Sequence, residues 1–159
     1  LRRGPKALSE GVVQMVNKER TRCYAYFYIR GIFDPVQVTK MLGVTPHESN
    51  AIGDPGVQGR PYRWASWSCG MTRVDYPNHE IECIKVIKEL IGKEDLLNQI
   101  KASNEDVEFW LEIVPTICEG EPPVITFGKE VIQFCHLTGT DFDLDMYVYP
   151  FEEQNSELD

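Results

Sequence analysis

The stretch Cys23-Tyr-Ala-Tyr-Phe-Tyr-Ile-Arg30 decides the fold. It is dense in residues that favour pleated strands. A strand sends successive side chains to opposite faces. Cys23, Ala25, Phe27 and Ile29 therefore share one face, and Tyr24, Tyr26, Tyr28 and Arg30 share the other.

Moving outward, Gly31 breaks the run. Asp34 suits a helix N-cap, and Pro35 suits the first helical position, where a missing N–H costs nothing. Val38, Met41 and Leu42 keep helical spacing, and Gly43 stops the helix after about two and a half turns. Residues 45–61 read as a loop, because three Pro and three Gly interrupt any regular element. A strand is expected over 62–68, with Tyr62, Trp64, Ser66 and Ser68 opposite Arg63, Ala65 and Trp67. Trp64 and Trp67 point apart, so at most one is a surface anchor and the other belongs to the core.

Asn78 is expected to cap an amphipathic helix running to Gly92, with Ile81, Ile84, Ile87 and Ile91 as its stripe. Leu96, Leu97 and Ile100 suggest a second short helix. Residues 107–114 alternate as a strand: Val107, Phe109, Leu111 and Ile113 against Glu108, Trp110, Glu112 and Val114. Residues 115–123 read as turns and 124–127 as a short strand. Residues 128–136 read as a helix with Val131, Ile132 and Cys135 inward. Residues 141–149 alternate strictly. Phe142, Leu144, Met146 and Val148 oppose Asp141, Asp143, Asp145, Tyr147 and Tyr149.

This order predicts an α+β domain built on a mainly antiparallel sheet with helices packed on one face. A strand, a short helix and a Gly recur at 23–43 and 124–139, which suggests a duplicated strand–helix unit. The length of 159 residues suits one domain, assigned to residues 15–150. Residues 1–14 are expected to be an added or disordered leader, since Met15 resembles a natural start. Residues 151–159 are expected to be a frayed acidic tail.

The net charge is −9. Seven of the bases fall within residues 1–30 (Arg2, Arg3, Lys6, Lys18, Arg20, Arg22 and Arg30). The body of the chain is therefore strongly acidic. Such a body repels phosphate backbones, which argues against nucleic acid, and attracts a cationic protein. No stretch approaches the ~20 apolar residues of a membrane span, so no membrane partner is expected. The five cysteines form no CxxC pair, and their number is odd. Free thiols in a reducing cytoplasm account for them more simply than disulfides or zinc.

Catalytic and metal patterns are missing. His47, His79 and His136 have no partner at metal-ligand spacing, and there is no Gly-x-Ser-x-Gly elbow. Cys135 lies on an apolar stripe and reads as a core thiol. Asp141, Asp143 and Asp145 stand about 7 Å apart along one strand, and one strand alone does not converge oxygens on a cation. No catalytic residue, metal or cofactor is expected.

Three stretches together resemble a known family. The first is Tyr26-Phe-Tyr-Ile-Arg-Gly-Ile-Phe-Asp-Pro-Val-Gln-Val-Thr-Lys-Met-Leu-Gly-Val-Thr-Pro46. The second is Gly53-Asp54 ahead of Trp64-Ala-Ser-Trp-Ser68. The third runs from Pro123-Val-Ile-Thr-Phe127 to Leu144-Asp-Met-Tyr147. In order and spacing they resemble the family called domain of unknown function 4279, over roughly residues 24–149. The resemblance implies a compact domain with no assigned activity. It also implies a candidate immunity protein, of the kind that neutralises bacterial toxins.

The expected function is therefore non-enzymatic protein binding in the cytoplasm, with a basic toxin domain as the partner. Tyr26, Tyr28, Trp110, Asp143 and Asp145, with Asp54 from the loop, are the expected contact residues. Rings would anchor the partner while the acids steer it. The alternatives are a small hydrolase with a fold-assembled Cys/His or carboxylate site, and a self-associating structural domain that buries its tyrosine face in a homodimer.

Overall fold

The alternating stretch becomes β1, Arg22–Ile32, in the middle of a six-stranded sheet. The computed structural model describes residues 20–151. The expected leader and the tail beyond residue 151 lie outside them. In chain order β1 is followed by α1 (Pro35–Leu42), β2 (Glu48–Asn50), a 3-10 turn (Val57–Gly59) and β3 (Ala65–Asp75). Then come β4 (Glu80–Glu82), α2 (Cys83–Val86), α3 (Glu94–Ser103) and β5 (Glu105–Ile117). The last elements are β6 (Val124–Thr126), α4 (Lys129–Thr138), β7 (Thr140–Leu144) and β8 (Tyr147–Val148).

The sheet runs β2-β3-β1-β5-β7, with β8 also paired to β5. The first four of these strands pair antiparallel, and β7 and β8 lie parallel to β5. The fold is thus α+β with a mainly antiparallel sheet, as the sequence predicts. A separate parallel ladder joins β4 to β6. The two echoing strand–helix segments therefore occupy different sheets, β1 in the large one and β6 in the small one. What they share is the stop: Gly43 and Gly139 both end their helices in the left-handed region.

The helices pack on one side. α1 contacts β3, α2 contacts β1 and β3, α3 contacts β5, and α4 contacts β7. Cys23, Ala25, Phe27 and Ile29 of β1 are completely buried. Phe27 lies between Phe109 of β5 and Phe134 of α4, at ring-centroid distances of 5.7 and 5.9 Å. Burying one such ring contributes roughly 1.5–3 kcal/mol. Trp67 is buried and donates its indole N–H to Thr39 Oγ1 at 2.9 Å, tying β3 to α1. Trp64 is exposed, so the two tryptophans divide between surface and core. Asp34 caps α1 as expected, its Oδ1 accepting the Val36 N–H at 2.9 Å.

A bulge sits where β3 meets β1. Ala25 pairs with Thr72 and Phe27 with Cys69, so Tyr26 faces two residues, Gly70 and Met71. Gly70 has φ +69°, and a Cβ there would stand 1.8 Å from the Val86 carbonyl oxygen of α2. Only glycine satisfies both the left-handed backbone and the close helix.

The structure departs from the sequence reading in six places. Residues 78–92 are not one helix but β4, the four-residue α2 and turns. Ile81 and Cys83 are both fully buried at strand spacing, and the β-branched run Ile81, Ile84, Val86, Ile87 and Ile91 weakens a helix. The presumed loop 45–61 contains β2, a polar edge strand formed by pairing with β3. β3 continues to Asp75, well past residue 68. β5 runs through Pro115 to Ile117 rather than turning. Proline has no N–H to donate, and opposite it the outer ladder lapses: β7 pairs as far as Ile113 and β8 resumes at Thr116. The expected last strand is split for that reason. In α4, Val131, Phe134, Cys135 and Thr138 form the inward stripe, and Ile132 is exposed.

Candidate functional site

On the side of the sheet away from the helices, the described residues leave Tyr26, Tyr28, Trp110 and Glu112 part-exposed, while Ser68 and Val114 are buried. The residues of this side line up in rows set by strand register. Ser68, Tyr28, Trp110 and Asp141 form one row across β3, β1, β5 and β7. Tyr26, Glu112 and Asp143 form the next, with the bulge of β3 at its end. Neighbouring members of a row are one strand spacing apart, about 5 Å. Along β1 the three tyrosines touch. Tyr24 and Tyr26 stack at 6.2 Å, and Tyr26 meets Tyr28 edge-on at 6.3 Å.

Of the expected contact residues, register therefore brings together Tyr26, Tyr28, Trp110 and Asp143. Asp145 lies just past the end of β7. Its N–H donates to the Ile113 carbonyl at 3.0 Å, and its carboxylate accepts the Tyr147 hydroxyl at 2.9 Å. Asp54 does not join them. Its Oδ2 accepts the Ala51 N–H at 2.8 Å and its backbone bonds to Ala51 and Tyr62, so it holds its own loop in shape.

Sequence reasoning missed one wall of this face. β2 and Tyr62 of the loop after it border, beside the tyrosines, a hollow of about 320 Å³. Tyr26, Tyr28 and Tyr62 supply rings to it, and Glu48 and Glu112 supply carboxylates. Asn50, Ser66 and Ser68 complete it, with Asn50 Nδ2 donating to Ser66 Oγ at 3.2 Å. The His47 ring packs edge-on against Tyr26 at 5.5 Å. The polar run at 48–50 carries no strand periodicity, so nothing local announces that it joins the sheet. Ser66 and Ser68 do share a face of β3 by alternation, which was the available signal; Tyr62, expected on the same strand, lies before it begins at Ala65.

The electrostatics of the face are one-sided. Arg30 is matched by Glu108 at 2.7 Å, and Arg73 by Asp75 at 2.9 Å. Glu48, Glu112, Asp141, Asp143 and Asp145 form no ion pair with any described residue. Burial, then the charges of Asp143 and Asp145, push the Glu112 carboxyl above its ordinary value. Burial, then Glu112 and the neighbouring tyrosines, push the Tyr26 phenol well above its own. In both, burial is the larger cause and the neighbouring negative charges add to it.

The family model described as "Domain of unknown function (DUF4279)" matches residues 21–149. The chain belongs to this family. The matched range takes in every residue of the open face. No curated protein and no solved structure matches the chain.

The remaining reactive groups of this DUF4279 chain lie elsewhere or are occupied. All five cysteines are buried, and Cys23, Cys69, Cys83 and Cys135 are free thiols. Burial raises Cys23, Cys83 and Cys135 to about 11 and Cys69 to about 12, which keeps them protonated. His47 Nε2 comes within 3.3 Å of Ser68 Oγ, but that hydroxyl is buried and donates to the Glu48 carbonyl at 3.2 Å. His79 Nδ1 meets the Pro77 carbonyl at 3.0 Å and stacks on Tyr76. Among the described residues no three His, Cys, Asp or Glu side chains converge as a metal site. Among them, too, no helix is long and apolar enough to cross a membrane.

Proposed function

We propose that this DUF4279 domain acts by binding, and that its open sheet face receives a cationic protein. One observation carries the reading. Glu112 is half-buried between Tyr26 and Asp143 across the ladders, with no ion-pair partner among the described residues. An arginine or lysine side chain lowered into the adjoining hollow would meet two carboxylates and the faces or edges of three phenols. Carboxylate pairing and cation–π attraction favour a guanidinium there. The acids around it raise the on-rate of a basic surface, and the fixed rings supply contact area.

A toxin domain with a basic cleft is the partner that such a face suits. The domain would then serve as an immunity protein in the cytoplasm, covering that cleft. Protonated buried thiols make poor nucleophiles, which weighs against the hydrolase alternative.

A tetra-arginine peptide titrated into the protein tests the reading by NMR. The signals of Tyr26, Tyr28 and Trp110 should move first. Binding should weaken in high salt, and by about tenfold in Glu112→Gln and Asp143→Lys. Affinity unchanged by salt and by both substitutions would overturn it.

A further inference from the structure

We propose that the free edge of β7 accepts an extended segment of the cationic partner as an added strand, in which basic and apolar residues alternate. This rests on the reading above and adds how the partner is held.

β7 is the outermost strand of the sheet, and among the described residues nothing pairs with its outer side. An unpaired strand edge is a template for backbone hydrogen bonds. The two faces of β7 differ in chemistry. Asp141 and Asp143 point to the open side. Phe142 and Leu144 point the other way, into a hollow of about 440 Å³ that Phe127 and Ile132 also line. These four apolar side chains are about half exposed, at 42–55%. Phe127 and Phe142 already pack edge to face at 5.1 Å. A strand laid beside β7 presents alternate side chains to each face. One set would meet the carboxylates and the other set the apolar hollow.

The charges also choose between occupants. A second copy pairing antiparallel through β7 would set Asp141 and Asp143 against their own copies. Like charges facing across strands repel. A basic segment turns the same carboxylates into attraction. The opposite sheet edge, β2, offers three residues and no apolar side chain.

The test compares two peptides of equal composition, acetyl-Arg-Val-Arg-Val-Arg-Val-Arg-amide and acetyl-Arg-Arg-Arg-Arg-Val-Val-Val-amide, on the full chain. The alternating peptide should bind about tenfold tighter, since several cross-strand pairs contribute at once. Backbone N-methylation at either its arginines or its valines, but only one of these, should abolish that advantage. Ile132→Glu, on the exposed side of α4, should remove it as well while the protein stays folded. Equal affinity of the two peptides overturns the added strand. If tetra-arginine still binds in a manner sensitive to Asp143→Lys, the cationic platform survives that result. Slow hydrogen exchange at the outward-facing amides of β7, those of Phe142 and Leu144, in the protein alone would show the edge already occupied by the chain itself, and would also overturn the proposal. Concentration-dependent dimerisation blocked by Ile132→Glu would give the edge to a second copy, with the same consequence.

Discussion

Glu112 on β5 and Asp143 on β7 are direct neighbours across the parallel ladder, two carboxylates side by side on the open face. Burial of Glu112, with Asp143 beside it, makes stability depend on pH with a defined sign. Burial and the neighbouring acids hold the Glu112 carboxyl above its ordinary value of 4.5. The folded state therefore binds that proton more tightly than the unfolded chain does. The resulting stability is full below the ordinary value and is lost as pH rises through the raised one. Glu112→Gln should remove that loss. The variant should exceed the parent by roughly 0.2–1 kcal/mol at neutral pH, the range for facing like charges, and the two should converge in acid. Urea midpoints at both pH values decide it. An equal difference at both would show that the charge is not the cause.

Gly70 and Gly43 both have positive φ, at +69° and +62°, but different surroundings. Nothing lies within 4 Å of a Cβ at Gly43, whereas one at Gly70 would strike the Val86 carbonyl. Gly43→Ala should cost about 1 kcal/mol from backbone strain alone. Gly70→Ala should cost more than about 3 kcal/mol or prevent folding, because α2 must move. Thermal melting of the two variants makes the comparison, and similar losses would contradict the bulge geometry.

Phe27→Ala should lower stability by about 3–5 kcal/mol, the usual cost of emptying a buried phenyl site. The removed ring lies between sheet and helix, against Phe109 and Phe134. A shift in the urea midpoint with an unchanged slope is the expected signature. A loss below about 1 kcal/mol would mean that the ring is not packed as described.

The thiols should be silent while the protein is folded. Burial raises four of them to about 11 or 12 and excludes reagent from all five. Ellman's reagent at mildly alkaline pH should react slowly with the native protein, and with all five groups in denaturant. A native thiol reacting at the rate of free cysteine would contradict this burial.

Local chemistry made much of the fold legible. β1 could be read residue by residue, because period-two alternation needs no partner to be seen. α1 announced both of its ends through Asp34, Pro35 and Gly43. The failures lie where partners decide. Ile81 and Ile87 are core residues at helical spacing, yet pairing with β6 draws Ile81 into a strand. β2 became a strand through β3 alone, with no apolar pattern of its own.

The candidate site divides along the same line. That Tyr26, Tyr28 and Trp110 share a face followed from alternation within each strand. That Tyr26, Glu112 and Asp143 form one row needed the register between strands, which no single segment encodes. Asp54 looked available because its short-range bond to Ala51 could not be seen without the loop's shape.

The order of strands also governs how the chain can assemble during synthesis. β1 is made first, yet one of its two neighbours in the sheet is β5; Arg30 and its partner Glu108 are 78 residues apart. A ribosome-bound chain must hold its tyrosine-rich leading strand half-unmatched until that later segment emerges. Long-range closure of this kind slows folding and leaves sticky surface waiting in the meantime.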